Sequence, residues 1–473
     1  MNPSQLGTYQ KLKEIKIKGI KGEPSPYQKV AIGFFINNNG KGILADQMGL
    51  GKTLMSLAYI VHQKLSKTLV ICPASVKFAW ESEVNKWTKL KPLVINSRSK
   101  LTASDFNEHD IFIINYDILS KFYDFLVTIR FDCIVIDEFT YIKNSSSKRS
   151  KLTRKIAKQI QSILLLSGTP MLNRPKELFN GLQLMDPVTW NNEWKFQKRY
   201  CNGHQGFWGW DANGVSHIDE LREKISKYFL RRTKAEVLPD LPPKIFVDIP
   251  TELDNKSQFE YDLAMSSLME YLQKIKGSTD PEIRRSMQAE KLVRLGELRK
   301  ITTNSKIGIA EEIINNVIEG GEKIVVFCAY NEPLEKLSEK FDDIAVIITG
   351  KTPELIRKKS IEAFQDNNKV KVFLGGIKSC GMGISLTAAS TMLFIDQDFT
   401  PANMLQASDR CHRPPQKKSV TIYQLLAKNT IDERMREILR EKQEIFDKLF
   451  EKEEKIKKSS DNILNDIIKG IKI

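Results

Sequence analysis

The stretch Ile43 to Leu54, "ILADQMGLGKTL", decides how the rest of the chain is read. Its first residues are a short apolar run of strand type, Gly49 and Gly51 break that run, and helical character follows from Lys52. A strand that ends in a glycine turn and opens a helix gathers backbone N–H groups and the positive end of the helix into one small volume. Such a volume binds phosphate. Lys52 can then reach the outer phosphates, and the Thr53 hydroxyl suits Mg²⁺. The strict spacing GxxxxGK[ST] would put glycine where Asp46 stands, so an ordinary glycine-rich turn is the competing reading.

Nucleotide hydrolysis asks for two further parts. "DCIVIDEFT", Asp132 to Thr140, supplies a carboxylate at a strand end: Asp137 suits the metal, and Glu138 is placed to orient or deprotonate the attacking water. Taken alone, an acidic pair after a strand is a common way to end one. "QASDRCHRPPQ", Gln406 to Gln416, supplies cations to stabilise the transferring phosphoryl group. Arg410 and Arg413 are three residues apart and would share one face of a helix. On a basic protein two arginines are otherwise a solvated face. They lie far along the chain from Lys52, in what reads as a second lobe, so hydrolysis would require two lobes to close.

That division follows from the apolar runs. "GILAD", "KTLVICP", "DIFIINY", "FDCIVIDE" and "SILLLSG" alternate with amphipathic segments, and a second series begins after residue 320 with "KIVVFCA", "AVIITG", "KVFLGG", "TMLFID" and "VTIYQLL". This is the pattern of α/β units on parallel sheets. With 473 residues, too many for one core, two lobes are expected. From about Asp254 to Lys300 there is no strand candidate, and Tyr261, Leu263, Met265, Leu268, Tyr271 and Leu272 recur at helical spacing. The expected organisation is a first lobe over residues 1–240, a helical connector over 241–300, a second lobe over 301–435 and a charged helix over 436–473. The first lobe would end in an irregular aromatic and glycine-rich insertion, "YCNGHQGFWGWDANG", before the prolines of "LPDLPPK".

The net charge of +15 suggests a polyanionic partner, nucleic acid first and an anionic membrane surface second. No apolar run approaches the roughly 18 residues of a membrane span, and the N-terminal residues show no secretory signal. Six cysteines are scattered without CxxC pairs, which fits reduced thiols in a cytosol-like compartment. Cys411 and His412 are adjacent, the wrong spacing for a zinc pair.

In order along the chain stand "YQ" with Gln28, "DQMGLGKT", "ICPASVKFAWESEVNKW", "DEFTYIKN", "LLLSGTPMLNRPKELFNGLQLMDP", "LRRTKAEVLPDLPPK", "KIVVFCAY", "CGMGISLTAAS" and "QASDRCHRPPQ". Together they resemble the SWI/SNF-type ATPases of helicase superfamily two, and the segment before "LRRTK" looks most like the distant, annealing-helicase (HARP-like) branch. The resemblance implies two RecA-like lobes, with ATP and Mg²⁺ as cofactors. Gln28 would read the adenine, while Met48, Gly49, Leu50, Gly51, Lys52 and Thr53 would hold the phosphates and the metal together with Asp137. Glu138 would act on water, Ser167 and Thr169 would link ATP state to lobe movement, Gly383 would border the nucleotide, and Arg410 and Arg413, beside Gln406, would be arginine fingers. DNA contacts would come from Ser75, Lys77, Lys143, Asn144, Thr349, Gly350, Lys351 and Ser379.

The implied activity is ATP-dependent translocation on forked or branched DNA, with branch migration, fork regression, reannealing or unwinding as output. The aromatic loop with Phe207, Trp208 and Trp210 is a candidate wedge; packing of that loop onto the lobe beneath is the bland alternative. A chromatin-type remodelling ATPase is the second reading, and a DNA-structure-binding protein with a vestigial ATP site the third. A monomer in bacterial or virus-infected bacterial cytosol is expected, with a nuclear setting open. The chain departs from the family pattern at Thr140, where histidine is usual, and at Pro414 and Pro415, which stiffen the turn after the second finger.

Overall fold

Every apolar run read above as a strand pairs with parallel neighbours. The computed structural model describes residues 16–206, 209–274, 281–380 and 384–450. Within them the chain forms two compact units, one up to Pro239 that also takes in Phe446–Phe450, and one from Asp240 to Ile445.

The first unit is built on β1 (Lys41–Leu44), β2 (Thr68–Cys72), β3 (Pro92–Val94), β4 (Ile111–Asn115), β5 (Cys133–Asp137), β6 (Ser162–Leu166) and β9 (Phe229–Leu230), in the order β3-β4-β2-β5-β6-β1-β9. All pairings are parallel. Helices cover the sheet, so β2, β4 and β6 are buried along their whole length. Burial on both faces is why these strands read as unbroken apolar runs and not as alternation. Truncating one such core side chain to alanine costs about 2–5 kcal/mol. Because the strands run the same way, the segments after β1, β2, β5 and β6 emerge at one edge, where open α/β sheets place their ligands.

Between Glu193 and Ile225 an insertion adds helix Glu193–Tyr200, the antiparallel hairpin β7 (His204–Gly206) and β8 (Gly209–Asp211), and helix Ile218–Ile225. Trp190, Phe196 and Tyr200 pack edge-on or tilted beneath it. Phe207 and Trp208 lie outside the described residues.

The second unit carries β10 (Lys244–Thr251), β11 (Ile324–Cys328), β12 (Ala345–Ile348), β13 (Val372–Gly376), β14 (Thr391–Phe394) and β15 (Val420–Ala427), in the order β10-β15-β14-β11-β13-β12, again all parallel. Strand β10 corrects the expectation that this sheet begins after residue 320. It sits at an edge, with Ile245 and Phe246 each 46% exposed, and Pro242 and Pro243 before it and Pro250 within it mask its alternation. Helices Asn255–Lys274 and Pro281–Ser305 follow. Tyr261 and Leu268 pack with Leu295, Leu298, Ile431, Met435 and Ile438, whereas Leu263 of the same helical row is exposed. No helix among the described residues is long and apolar enough to cross a membrane.

Candidate nucleotide site and nucleic-acid interface

The phosphate loop takes the conformation its glycines permit. Gly49 and Gly51 have φ of +87° and +83°, and helix Lys52–His62 starts at once. A Cβ on Gly51 would stand 2.7 Å from Gln28 Nε2. The Gln28 amide donates to the Leu50 carbonyl at 3.3 Å, and Tyr27 Oη donates to the same oxygen at 3.2 Å. Lys52 Nζ donates to the Asp46 carbonyl at 2.8 Å. The segment expected to read the adenine and the glycine loop are therefore joined by hydrogen bonds.

Asp46, the residue that breaks the strict glycine pattern, has its own task. Fully buried, its carboxylate receives Nε and Nη2 of Arg232 as a fork, while Nη1 of the same guanidinium donates to the Tyr27 carbonyl. Beside this pair the "LRR" segment runs along the loop: Ala45 N donates to Leu230 O and Gln47 N to Arg232 O. Arg231 Nη1 donates to Ala45 O at 3.1 Å and to Gly168 O at 3.4 Å.

Asp137 and Glu138 stand at the end of β5, next to β6. Glu138 holds φ of +50°, a left-handed conformation rare for a residue with a side chain and found at functional turns. Its Oε2 accepts from Ser167 Oγ at 2.7 Å, and Ser167 Oγ in turn accepts from Thr169 N at 3.1 Å. The expected coupling segment thus touches the expected water-activating carboxylate directly; Thr140 is buried beside it. Gly168 lets this turn approach the phosphate loop, for a Cβ there would lie 2.5 Å from Met48 Cγ.

Asp137 is fixed from three sides. Trp80 Nε1 donates to Oδ2 at 2.8 Å, Glu138 N to Oδ1 at 3.0 Å, and Tyr116 Oη to its carbonyl at 2.8 Å. The residue keeps some access at the strand end, yet surrounding protein pushes its carboxyl pKa up, against the indole bond and the Lys52 charge, which pull it down. A carboxylate in such a place gains from a cation. No group of three or more acidic, histidine or cysteine side chains that could hold a metal ion occurs among the described residues. Mg²⁺ takes one or two protein oxygens and completes its shell with phosphates and water. Asp137 and the Thr53 hydroxyl are the residues that would hold it.

In the second unit, Arg410 and Arg413 do not share a helix face. Helix Pro401–Ser408 ends before them, and both lie in a turn. Arg413 precedes Pro414, which disfavours helical backbone, and the orienting bonds of the turn come from elsewhere. His412 Nε2 contacts Pro242 O at 2.7 Å, and Lys244 Nζ pairs with Asp409 at 2.9 Å. Arg410 Nη1 donates to Ile384 O at 3.2 Å, and Arg413 Nε to Asp409 O at 3.1 Å. Gln406 is buried in the helix, and Gly383 lies outside the described residues.

The candidate DNA contacts divide. Ser75 is exposed in the turn Ala74–Val76. Lys77 is not at the surface: its ammonium donates to Ile95 O at 3.1 Å and Asn96 Oδ1 at 2.8 Å, so it holds the turn and does not offer a charge to phosphate. Lys143 pairs at 3.0 Å with Glu177, whose other oxygen accepts from Leu172 N and Asn173 N, and Asn144 is exposed. Thr349 and Ser379 are brought together by Arg357, which donates to the carbonyl of each, and Gly350 and Lys351 are exposed beside them. Trp210 stacks on Trp194, ring centroids 5.2 Å apart, and donates to Gln197 Oε1 at 2.7 Å. Trp80, Tyr116, Glu177, Arg232, Arg357 and Trp194 went unassigned in the sequence. For Trp80, Glu177 and Arg232 the signal was present, since all three lie inside quoted motifs.

Two cavities, of about 240 and 360 Å³, lie by Leu126–Phe131 and by Lys41, Gln161 and Tyr228. Both open near the starts of strands of the first sheet, at the opposite edge from the phosphate loop.

Comparison with known proteins gives two family models. Residues 27–307 match the SNF2-related domain, and residues 305–415 the helicase conserved C-terminal domain. A SWI/SNF-related matrix-associated actin-dependent regulator of chromatin subfamily A-like protein 1 homolog of Caenorhabditis elegans is 30% identical over 435 residues, covering 89% of this chain and 61% of that protein. The DNA annealing helicase and endonuclease ZRANB3 of Bos taurus is 30% identical over 436 residues, covering 89% of this chain and 40% of that protein. The chain thus spans between about two fifths and three fifths of the length of these relatives. Among solved structures, the Sulfolobus solfataricus SWI2/SNF2 ATPase core in complex with dsDNA is 26% identical with a TM-score of 0.45, covering 92% of this chain and 95% of that one.

Proposed function

This chain belongs to the SNF2-related family, the SWI/SNF-type ATPases of helicase superfamily two, and on that premise we propose that it is an ATP-driven DNA translocase working on forked or branched DNA. The observation that carries the reading is the convergence of the phosphate loop, the Asp137–Glu138 pair and the Ser167 turn at one sheet edge, with Glu138 bonded to Ser167. A decayed nucleotide site would have lost part of this set, which speaks against a DNA-binding protein with a vestigial centre.

Each residue has a task in the reading. Gln28 binds the adenine, and the loop amides with Lys52 bind the phosphates. Asp137 and Thr53 would hold Mg²⁺, which would supply positive charge to offset that of the phosphates. Glu138 orients water, and Ser167 reports the position of Glu138 to the turn that follows. Arg410 and Arg413 are the arginine fingers, so turnover depends on residues of both units. Ser75, Lys143, Asn144, Thr349, Gly350, Lys351 and Ser379 contact backbone phosphates, which hold the strand without reading sequence. Alternating grips on DNA, driven by ATP, give translocation. Reannealing or regression of forks is the output we favour, because relatives described as annealing helicases match over 89% of the chain. The protein works as a monomer in a reducing, cytosol-like compartment, in keeping with six free buried cysteines.

The test is ATPase activity with single-stranded DNA, duplex, forked DNA and RNA in parallel, with Glu138→Gln as control. Stimulation greatest on forked DNA, abolished by the substitution, is the expected result. An undiminished rate in Glu138→Gln removes the mechanism, and stimulation by RNA alone removes the substrate.

A further inference from the structure

Trp80 is placed where no packing argument needs a nitrogen. Its ring is 1% exposed and belongs to the apolar core of the first unit, which a phenyl or aliphatic group would fill as well. An indole N–H is a donor only and, once buried, takes an acceptor. The acceptor here is Oδ2 of Asp137, 57 residues on, at 2.8 Å. With Glu138 N on Oδ1, this bond sets the plane of the carboxylate that would hold the metal.

The other end of the same element is the loop expected to meet DNA. Strand β2 pairs with β5 in register, Ile71 opposite Ile136, so the chain leaving β2 emerges beside Asp137. It passes through the exposed turn Ala74–Val76 and enters helix Lys77–Trp87 without a break. Trp80 is one helical turn into that helix, three residues after Lys77, whose ammonium anchors the helix start to Ile95 and Asn96. A phosphate seated against Ser75 and the turn would press on the start of this helix. The buried polar groups nearest the turn on that helix are the Lys77 ammonium, bonded to Ile95 and Asn96, and, one turn on, the Trp80 N–H, bonded to Asp137.

We infer that Trp80 is the positioning residue through which DNA at the Ala74–Val76 turn adjusts the metal-holding carboxylate, so that DNA and Mg²⁺·nucleotide bind cooperatively. The inference rests on the proposed function and adds a route to it. By linkage the effect is reciprocal: DNA tightens Mg²⁺·nucleotide by the same factor by which Mg²⁺·nucleotide tightens DNA.

The test uses the full chain and Trp80→Phe, which keeps a ring and deletes the N–H. A fluorescent non-hydrolysable ATP analogue is titrated with and without Mg²⁺, and with and without saturating duplex DNA; DNA affinity is titrated with and without Mg²⁺·analogue. The unaltered chain should show a coupling factor of about 5 or more. In Trp80→Phe the factor should fall towards 1 and the Mg²⁺ requirement should rise, while DNA affinity without nucleotide stays as it was. Trp80→His, which restores an N–H on a smaller ring, should recover part of the coupling. Unchanged coupling in Trp80→Phe overturns the inference. Should either variant melt early, indole hydrogen exchange of Trp80 in the unaltered chain decides: DNA without nucleotide must change its rate, and an unchanged rate counts against the route. If the unaltered chain shows no DNA stimulation of ATPase at all, it is the proposed function that has failed and not this route.

Discussion

Ser167 Oγ donates a 2.7 Å hydrogen bond to Glu138 Oε2, joining two motifs that leave adjacent strands β5 and β6. A buried hydrogen bond to a charged group is worth about 1.5–3 kcal/mol, which corresponds to a factor of about 10–150 in an equilibrium. Glu138→Gln should lower kcat by about 10²–10⁴, the usual contribution of a general base, with nucleotide binding retained. Ser167→Ala should spare nucleotide binding, lower kcat by about tenfold or more, and cut fork processing further than ATPase. Equal losses of ATPase and fork processing in Ser167→Ala would show that the serine positions the base without relaying its state.

Arg232 and Asp46 form a forked ion pair in which the side chains are 3% and 0% exposed. Removing one partner strands a buried charge, at a cost of about 3–5 kcal/mol. Arg232→Ala should therefore lower the melting temperature well beyond the effect of Arg231→Ala, and raise KM for ATP, since the Tyr27 carbonyl and the phosphate loop lose their shared anchor. Replacing both residues with apolar side chains of similar volume should return much of the stability while KM stays high. A double variant no more stable than Arg232→Ala would count against this account.

Acid should weaken the first unit through Asp186. Burial pushes its pKa up, but bonds from Thr189 N, Tyr228 Oη and Thr189 Oγ1, with Lys227 nearby, outweigh that and hold it well below the usual carboxylate range. Between the depressed folded value and the unfolded value of about 4, the unfolded chain binds more protons, so stability falls as pH drops through that window. Above it the contribution is complete. Melting curves between about pH 6 and 2 should show a steeper acid decline for the unaltered chain than for Asp186→Asn. Parallel curves would mean that Asp186 is not the group responsible.

The residues that could be read from the sequence are those whose role is local. Lys52, Thr53 and the two glycines fall within one strand-turn-helix, and Asp137 and Glu138 end an apolar run, so spacing alone places them at strand ends of one sheet. Strand β10 is not legible in the sequence because an edge strand, half exposed, preceded by Pro242 and Pro243 and containing Pro250, lacks the unbroken apolar run that betrays its neighbours. The shared helix face expected of Arg410 and Arg413 failed because i, i+3 spacing has meaning only if the helix continues, and it ends at Ser408 ahead of the prolines. Lys77 is expected to meet DNA from its place in the motif, and nothing local says that its ammonium reaches Asn96 instead. Arg232 could not be matched to Asp46, 186 residues away, until β9 was laid beside β1.

The insertion offers the last prediction. The Trp194 and Trp210 rings are stacked at 29°, they are 49% and 37% exposed, and Lys198 Nζ lies 5.0 Å over Trp194. Trp210 is thereby pinned by a ring and by Gln197, as the bland reading of this loop has it, yet the pair keeps aromatic surface open beside a cation. An unpaired base stacking there would gain about 1–3 kcal/mol, a factor of about 5–150 in affinity. Trp194→Ala with Trp210→Ala should therefore weaken binding to forked DNA by that factor and leave duplex binding nearly unchanged, measured by titration at one salt concentration because phosphate contacts dominate otherwise. If fork and duplex binding fall together, the rings serve only to hold the hairpin on its lobe; if neither falls, the fork is met elsewhere on the protein.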